Sequence, residues 1–401
     1  MRIVGIAFVS LCMLGEIGCR RPVVPGSADI PAYSETLTRQ FRDLSPRWSH
    51  DGKHIAFLRE TADHRHQLFL ADAQLKSVKS LLPPEAVSPD RDLGSSLDRL
   101  NSPQGLAFTA QDNAIAFPRA DWVMGGSGER IPGQCIWLYE RSKGQTKPLA
   151  VHPPRYRGRM LYYHFPQWSP DGKYLSFVGE GLYGERSVFL RLLNRKNPLD
   201  YTSLPDQNFA SDWAIWEPKR SALTWAQSVR RAPSVPFTQT LRRAFPGAPP
   251  QPDSGEFWRK APDPQLLSSG TRPFVSHLAW SPDGSHLAFA FTNKPTGKSN
   301  FEIWVMRHDG KEARRLLNSP TESNFAPVWI GNSRVGGVSR DSKKANYVVL
   351  SWNLEGKDQR VHGEIETADC DWSPDRKHIV YATKSPSTIQ TTLRILSLKN
   401  L

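Results

Sequence analysis

The chain has 401 residues, 52 Lys and Arg against 39 Asp and Glu for a formal net charge of +13, and only four cysteines. So few cysteines exclude a disulfide-built scaffold, and the length suffices for one large domain with a substantial core. The basic balance would suggest nucleic acid for a cytosolic chain, but the N-terminus argues for export and the basic residues are scattered among many loops.

Met1-Arg2 precedes an apolar run from Ile3 to Leu14, and the small residue Gly18 precedes Cys19. A charged start, a short apolar stretch and a small residue before the break predict a secretory signal over residues 1–19. The run is too short for a comfortable membrane span. Gly18-Cys19 resembles a bacterial lipoprotein signal, which implies lipidation of Cys19 and a membrane anchor. Glu16 departs from that motif, which prefers leucine there, so cleavage without lipidation is the alternative. Residues 20–33, rich in proline and small residues, read as a flexible tether. The expected location is the periplasm or cell envelope.

From residue 34 to 401 a repeat governs the sequence. Trp48 to Phe57 reads WSHDGKHIAF, Trp168 to Phe177 WSPDGKYLSF, Trp280 to Phe289 WSPDGSHLAF and Trp372 to Tyr381 WSPDRKHIVY. Weaker copies run Phe108 to Phe117, Trp216 to Trp225 and Trp329 to Val338. Self-similarity at a fixed period marks a repeat architecture. Ser-Pro-Asp-Gly is a turn: proline presets φ, aspartate bonds nearby N–H groups and glycine takes the left-handed position. The alternating flanks, as in His54-Ile55-Ala56-Phe57, read as strands. Where Arg376 replaces the glycine, a left-handed residue costs roughly 1 kcal/mol, or the turn changes type. The repeated aspartates Asp51, Asp171, Asp283 and Asp375 are assigned to turn chemistry.

A third strand follows each hairpin, for example Gln67–Asp72, Glu302–Met306 and Leu393–Leu396, and a short fourth ends near Leu82, Leu149, Leu267 or Leu317. After Trp216 the third strand is hidden, and Glu256-Phe257-Trp258 is the expected candidate. Four antiparallel strands per unit make one propeller blade. The expected fold is therefore all-β, a single β-propeller of about seven four-stranded blades. Glu35-Thr36-Leu37-Thr38 is expected to pair with the last blade and close the ring, protecting its edges. An insertion at about 229–262, rich in Arg, Pro and aromatics, breaks the repeat and reads as a partner-docking arm or as filler. Most tryptophans are assigned to packing between blades.

These Trp-Ser-Pro-Asp-Gly-Lys units, with the Ile-Trp-Val strand and the leucine pair, resemble TolB-type propeller repeats over most of the chain. The resemblance is specific for fold and poor for function. Prolyl-oligopeptidase relatives carry similar propellers beside a hydrolase domain, but no Gly-x-Ser-x-Gly elbow occurs here. Oligogalacturonate lyases are also similar in repeat type, and that likeness implies histidines and a divalent metal in the channel.

In such blades the strand entering each anchor is innermost. His164, Asp212, His277 and Asp369 lie three or four positions before their anchors and are expected at the tunnel mouth. Imidazole and carboxylate together suit a divalent ion or general acid/base work, or they bind water as lining residues. Arg155, Arg157 and Arg159 form the most compact basic cluster, either a solvated surface or an anion-attracting loop. No His-Glu-x-x-His, Cys-x-x-Cys or phosphate loop is present. Cys135 and Cys370 fall on different strand types, and no disulfide between them is expected.

The reading is a non-catalytic binding scaffold for an envelope protein, peptide or anionic glycan. The expected protein is a monomer, with no nucleic acid and no cofactor. The alternative is a metal-assisted lyase or hydrolase of an acidic polysaccharide, and only there is a divalent metal expected.

Overall fold

The computed structural model describes residues 42–60, 66–82, 105–124, 130–152, 160–181, 186–203, 211–220, 222–229, 238–244, 256–260, 274–292, 301–316, 322–341, 346–384 and 391–399. Cys19, the segments 1–19 and 20–33, the expected closing segment at Glu35, and Arg155, Arg157 and Arg159 lie outside these residues. Among the described residues there is no helix.

Each anchor ends the first strand of an antiparallel meander. The first unit comprises β1 (Arg42–Trp48), β2 (His54–Glu60), β3 (His66–Asp72) and β4 (Val78–Ser80). The second comprises β5 (Ala107–Phe108), β6 (Ala114–Met124), β7 (Arg130–Glu140) and β8 (Gln145–Ala150). The third runs β9 (Met160–Trp168), β10 (Tyr174–Gly181), β11 (Arg186–Leu192) and β12 (Tyr201–Ser203). Next come β13 (Ser211–Trp216), β14 (Leu223–Val229), β15 (Thr238–Ala244) and β16 (Glu256–Lys260). The fifth unit is β17 (Phe274–Trp280), β18 (His286–Thr292), β19 (Glu302–Arg307) and β20 (Arg314–Arg315). The sixth is β21 (Glu322–Ile330), β22 (Arg334–Asp341), β23 (Tyr347–Asn353) and β24 (Gln359–Ile365). The unit at Trp372 supplies β25 (Cys370–Trp372), β26 (His378–Lys384) and β27 (Thr391–Ser397) among the described residues.

One strand assignment needs correction. The third strand after Trp216 is Thr238–Ala244, and Glu256–Lys260 pairs outside it as the fourth. Much of the expected 229–262 insertion is thus the outer half of an ordinary meander. Its Arg-rich sequence hid the strand, because Arg242 and Arg243 break the apolar alternation.

The turns fold as their chemistry dictates. In four of them the serine hydroxyl donates to the aspartate two residues on, each at 2.6 Å: Ser49 to Asp51, Ser169 to Asp171, Ser281 to Asp283 and Ser373 to Asp375. The same hydroxyl accepts the N–H five residues on, for example His54 at 2.9 Å. Gly52, Gly172 and Gly284 take φ near +70°, and Arg376 keeps that conformation at φ 64° instead of changing the turn.

The end residues of the repeat fill the core. Phe57, Phe117, Phe177 and Phe289 are all buried, each worth roughly 2–3 kcal/mol of transfer free energy. Apolar clusters bridge consecutive units: Leu68 and Leu70 meet Phe108 and Ile115, and Val178 meets Trp216 and Trp225. A further cluster joins Trp48, Ile55 and Phe57 to Val380 of the last unit. Arg42 pairs in parallel with Thr391, so β1 begins beside β27.

A second feature repeats without any sequence signal. The ladder between first and second strands shifts register just before the anchor, between Leu44 and Arg47, Ser211 and Trp213, Ser276 and Leu278, and Phe325 and Val328. Ser45, Phe165, His277 and Ala326, each three positions before its anchor, have φ of 50–52°. An extra residue in one strand re-aims the side chains around it. Serine, phenylalanine, histidine and alanine share no chemistry, so this strain belongs to the architecture and not to a catalytic role.

Candidate functional site

The innermost strands carry the polar residues expected at the axis, and the bulge decides how they sit. His164 lies opposite Val178 in β10. Its Nε2 stands 3.9 Å from the carboxylate of Glu180, whose side chain is 3% exposed. Arg186 donates its Nε to the same Glu180 oxygen at 3.1 Å. The Phe165 ring meets His164 edge-on, with centroids 4.5 Å apart. Glu180 and Arg186 carry no sequence signal. They open and close a loop between strands, and only the pairing of β10 with β11 brings them together.

His277 is buried at the left-handed bulge position of β17. Asp369 is buried and accepts the backbone N–H of Ser45 at 2.8 Å. Asp212 occupies the register shift of β13, and its side chain lies outside the described residues. His164 and Asp369 therefore each sit beside a partner, Glu180 in the same unit and the Ser45 N–H of the first unit.

Charge at the inner strands is held in pairs. Arg59 donates to both oxygens of Asp43, at 2.6 and 3.0 Å, with both residues buried. Burial pushes the Asp43 carboxyl up to about 6, against the pull of Arg59. The Arg59 guanidinium also lies 4.6 Å from the Phe69 ring centroid. On the third strand of the fourth unit, Arg242 donates to the neutral Gln227 at 3.0 Å. Asp371 accepts from Arg47 at 3.0 Å. Burial, with the Asp369 and Asp371 carboxylates, pushes the Cys370 thiol up, which keeps it protonated and unreactive.

Among the described residues no group of three or more His, Cys, Asp or Glu is placed to hold a metal ion. The carboxylate nearest His164 already faces a guanidinium, which opposes a second cation there.

No family model matches the sequence, and no curated protein matches it. Solved structures do. An oligogalacturonate lyase in complex with manganese is 12% identical, with 90% of each chain covered and a TM-score of 0.59. The β-propeller domain of the Trilobed protease from Pyrococcus furiosus, described as having an open velcro topology, is 12% identical over 89% of this chain and 95% of that one, with a TM-score of 0.55. A puromycin-hydrolyzing peptidase of Mycobacterium tuberculosis is 13% identical over 92% of this chain but 55% of that chain, with a TM-score of 0.57. At such identities the likeness shows fold alone: this is an all-β chain with a β-propeller fold.

Proposed function

We propose that the chain is an exported, lipid-anchored, TolB-like propeller of seven blades that binds a protein, peptide or anionic glycan at the cell envelope without catalysis. The closing segment at Glu35 completes the last blade, and Cys19 carries the anchor. The protein acts as a monomer.

The supporting observation is the difference between the two ends of the meanders. In the six units whose four strands are described, the first-to-second and third-to-fourth connections share one end. There the turns are mostly short, and four of the first-to-second ones are tied by the repeated Ser–Asp bonds, with 245–255 as the long exception. The second-to-third connections, and those from one unit to the next, share the other end. These vary in length and composition, from 182–185 to 83–104, and 153–159 carries Arg155, Arg157 and Arg159. Variable connections on a rigid scaffold are where binding residues concentrate. Meanwhile Asp43 and Asp371 of the inner strands are paired with Arg59 and Arg47, and Asp369 is bonded to a backbone N–H, which suits lining and positioning better than turnover.

Neutralising the three arginines to serine, with the strands left intact, tests this reading. A partner cross-linked from an envelope fraction by the wild type should be lost with the triple variant. Equal recovery by both, or cleavage of an acidic polysaccharide by the wild type, overturns it. Excising 229–252 is unsuitable, because it removes β15.

A further inference from the structure

The junction between the last and first units is bridged by two side-chain carboxylates. At three other junctions an anchor indole donates to the carbonyl just before the preceding anchor: Trp168 to Ala107, Trp216 to Gln167, Trp329 to Ala279. The Trp48 indole nitrogen is buried without such an acceptor, as are those of Trp280 and Trp372. Two carboxylates of the last unit reach across instead. Asp369 accepts the Ser45 N–H at 2.8 Å. Asp371 accepts the Trp48 N–H at 2.8 Å and the Arg47 guanidinium at 3.0 Å. The register shift between Leu44 and Arg47 leaves Ser45 without a ladder partner, so the aspartate satisfies a donor that the bulge set free. Charge-assisted bonds of this kind are roughly twice as strong as neutral ones.

We propose that Asp369 and Asp371 form a side-chain latch that holds the last blade to the first, making this seam the place where the ring opens. The inference rests on the closed-ring part of the proposed function. It assigns closure to charged side chains on the innermost strands, in addition to any strand pairing at the rim. The carboxylates act beside the apolar cluster of Trp48, Ile55 and Phe57 with Val380 at this seam, and their release leaves the clusters between the other units undisturbed.

Amide hydrogen exchange on the full chain tests the latch. In the wild type, β1 should be protected as well as β10 and β18. In Asp369→Ala/Asp371→Ala, exchange in β1 and in β25–β27 should rise about tenfold or more while β10 and β18 stay unchanged. Asp371→Asn gives the same pattern in weaker form should the double variant fold poorly. Asp112→Ala, which strips a turn contact between the first two units, should leave β25–β27 protected. Unchanged protection of β1 in both latch variants overturns the proposal, as does a uniform rise across all sheets. An unprotected β1 in the wild type refutes ring closure itself, and the latch with it.

Discussion

The indole N–H of Trp329 donates to the carbonyl of Ala279 at 2.8 Å, so the anchor of one unit hydrogen-bonds the inner strand of the unit before it. Trp168 and Trp216 do the same. At these three anchors the tryptophan fills the interface and also bonds an inner-strand carbonyl. Trp329→Phe keeps most of the packing and removes the indole bond to Ala279, which should cost about 0.5–1.5 kcal/mol. Trp329→Ala should cost about 3–5 kcal/mol through the cavity it opens. Urea denaturation of the two variants separates the two contributions.

Two glycines with similar φ should respond very differently to alanine. Gly172 has φ +66°, and a methyl group placed there would meet nothing within 4 Å, so Gly172→Ala carries only the backbone cost, about 1–2 kcal/mol. Gly356 has φ +71°, and a Cβ there would overlap the Leu316 carbonyl. Gly356→Ala should therefore cost at least about 2 kcal/mol more. Equal shifts in midpoint would show that the Leu316 segment yields freely.

Acid should weaken the turns between pH 3.8 and about 2, below the range in which the buried Asp43 takes up its proton. The Ser281 hydroxyl, helped by the Ser285 N–H, holds the Asp283 carboxyl down at about 2 from an ordinary 3.8. Serine hydroxyls likewise lower Asp51 and Asp375. A carboxyl depressed in the folded state contributes stability above its unfolded value and loses it as pH falls through the folded one. Stability should thus drop between pH 3.8 and about 2. Asp283→Asn should flatten that slope, as read from melting temperature against pH.

Chelation should leave the protein unmoved. The described inner-strand residues offer no group of three metal-ligating side chains. The melting temperature should be the same with and without EDTA, and metal analysis of purified protein should find no stoichiometric divalent ion. A chelator-sensitive transition would favour a metal-dependent lyase.

The strands of most units could be read from the nine-residue spacing and the Ser-Pro-Asp-Gly turns, because both are local chemistry. Arg376 showed the limit of residue preference: the repeat imposes the left-handed turn even without glycine. Thr238–Ala244 escaped because paired arginines masked its alternation. The bulge at Ser45, Phe165, His277 and Ala326 has no residue signature, since it arises from ladder geometry. That bulge is why counting back from each anchor located the inner strand but could not aim its side chains. Glu180 and Arg186 become partners only through strand pairing. Asp369 and Asp371 find theirs in a unit more than 300 residues away in sequence, at separations of 323–324.

Site-specific photo-cross-linking tests most directly whether binding belongs to the variable-loop end. One probe replaces Arg157, and a second replaces Asp171 in a short turn at the opposite end. Capture of one envelope partner from the Arg157 position, with none from Asp171, is the expected result. Capture from Asp171 alone, or equally from both, would contradict it.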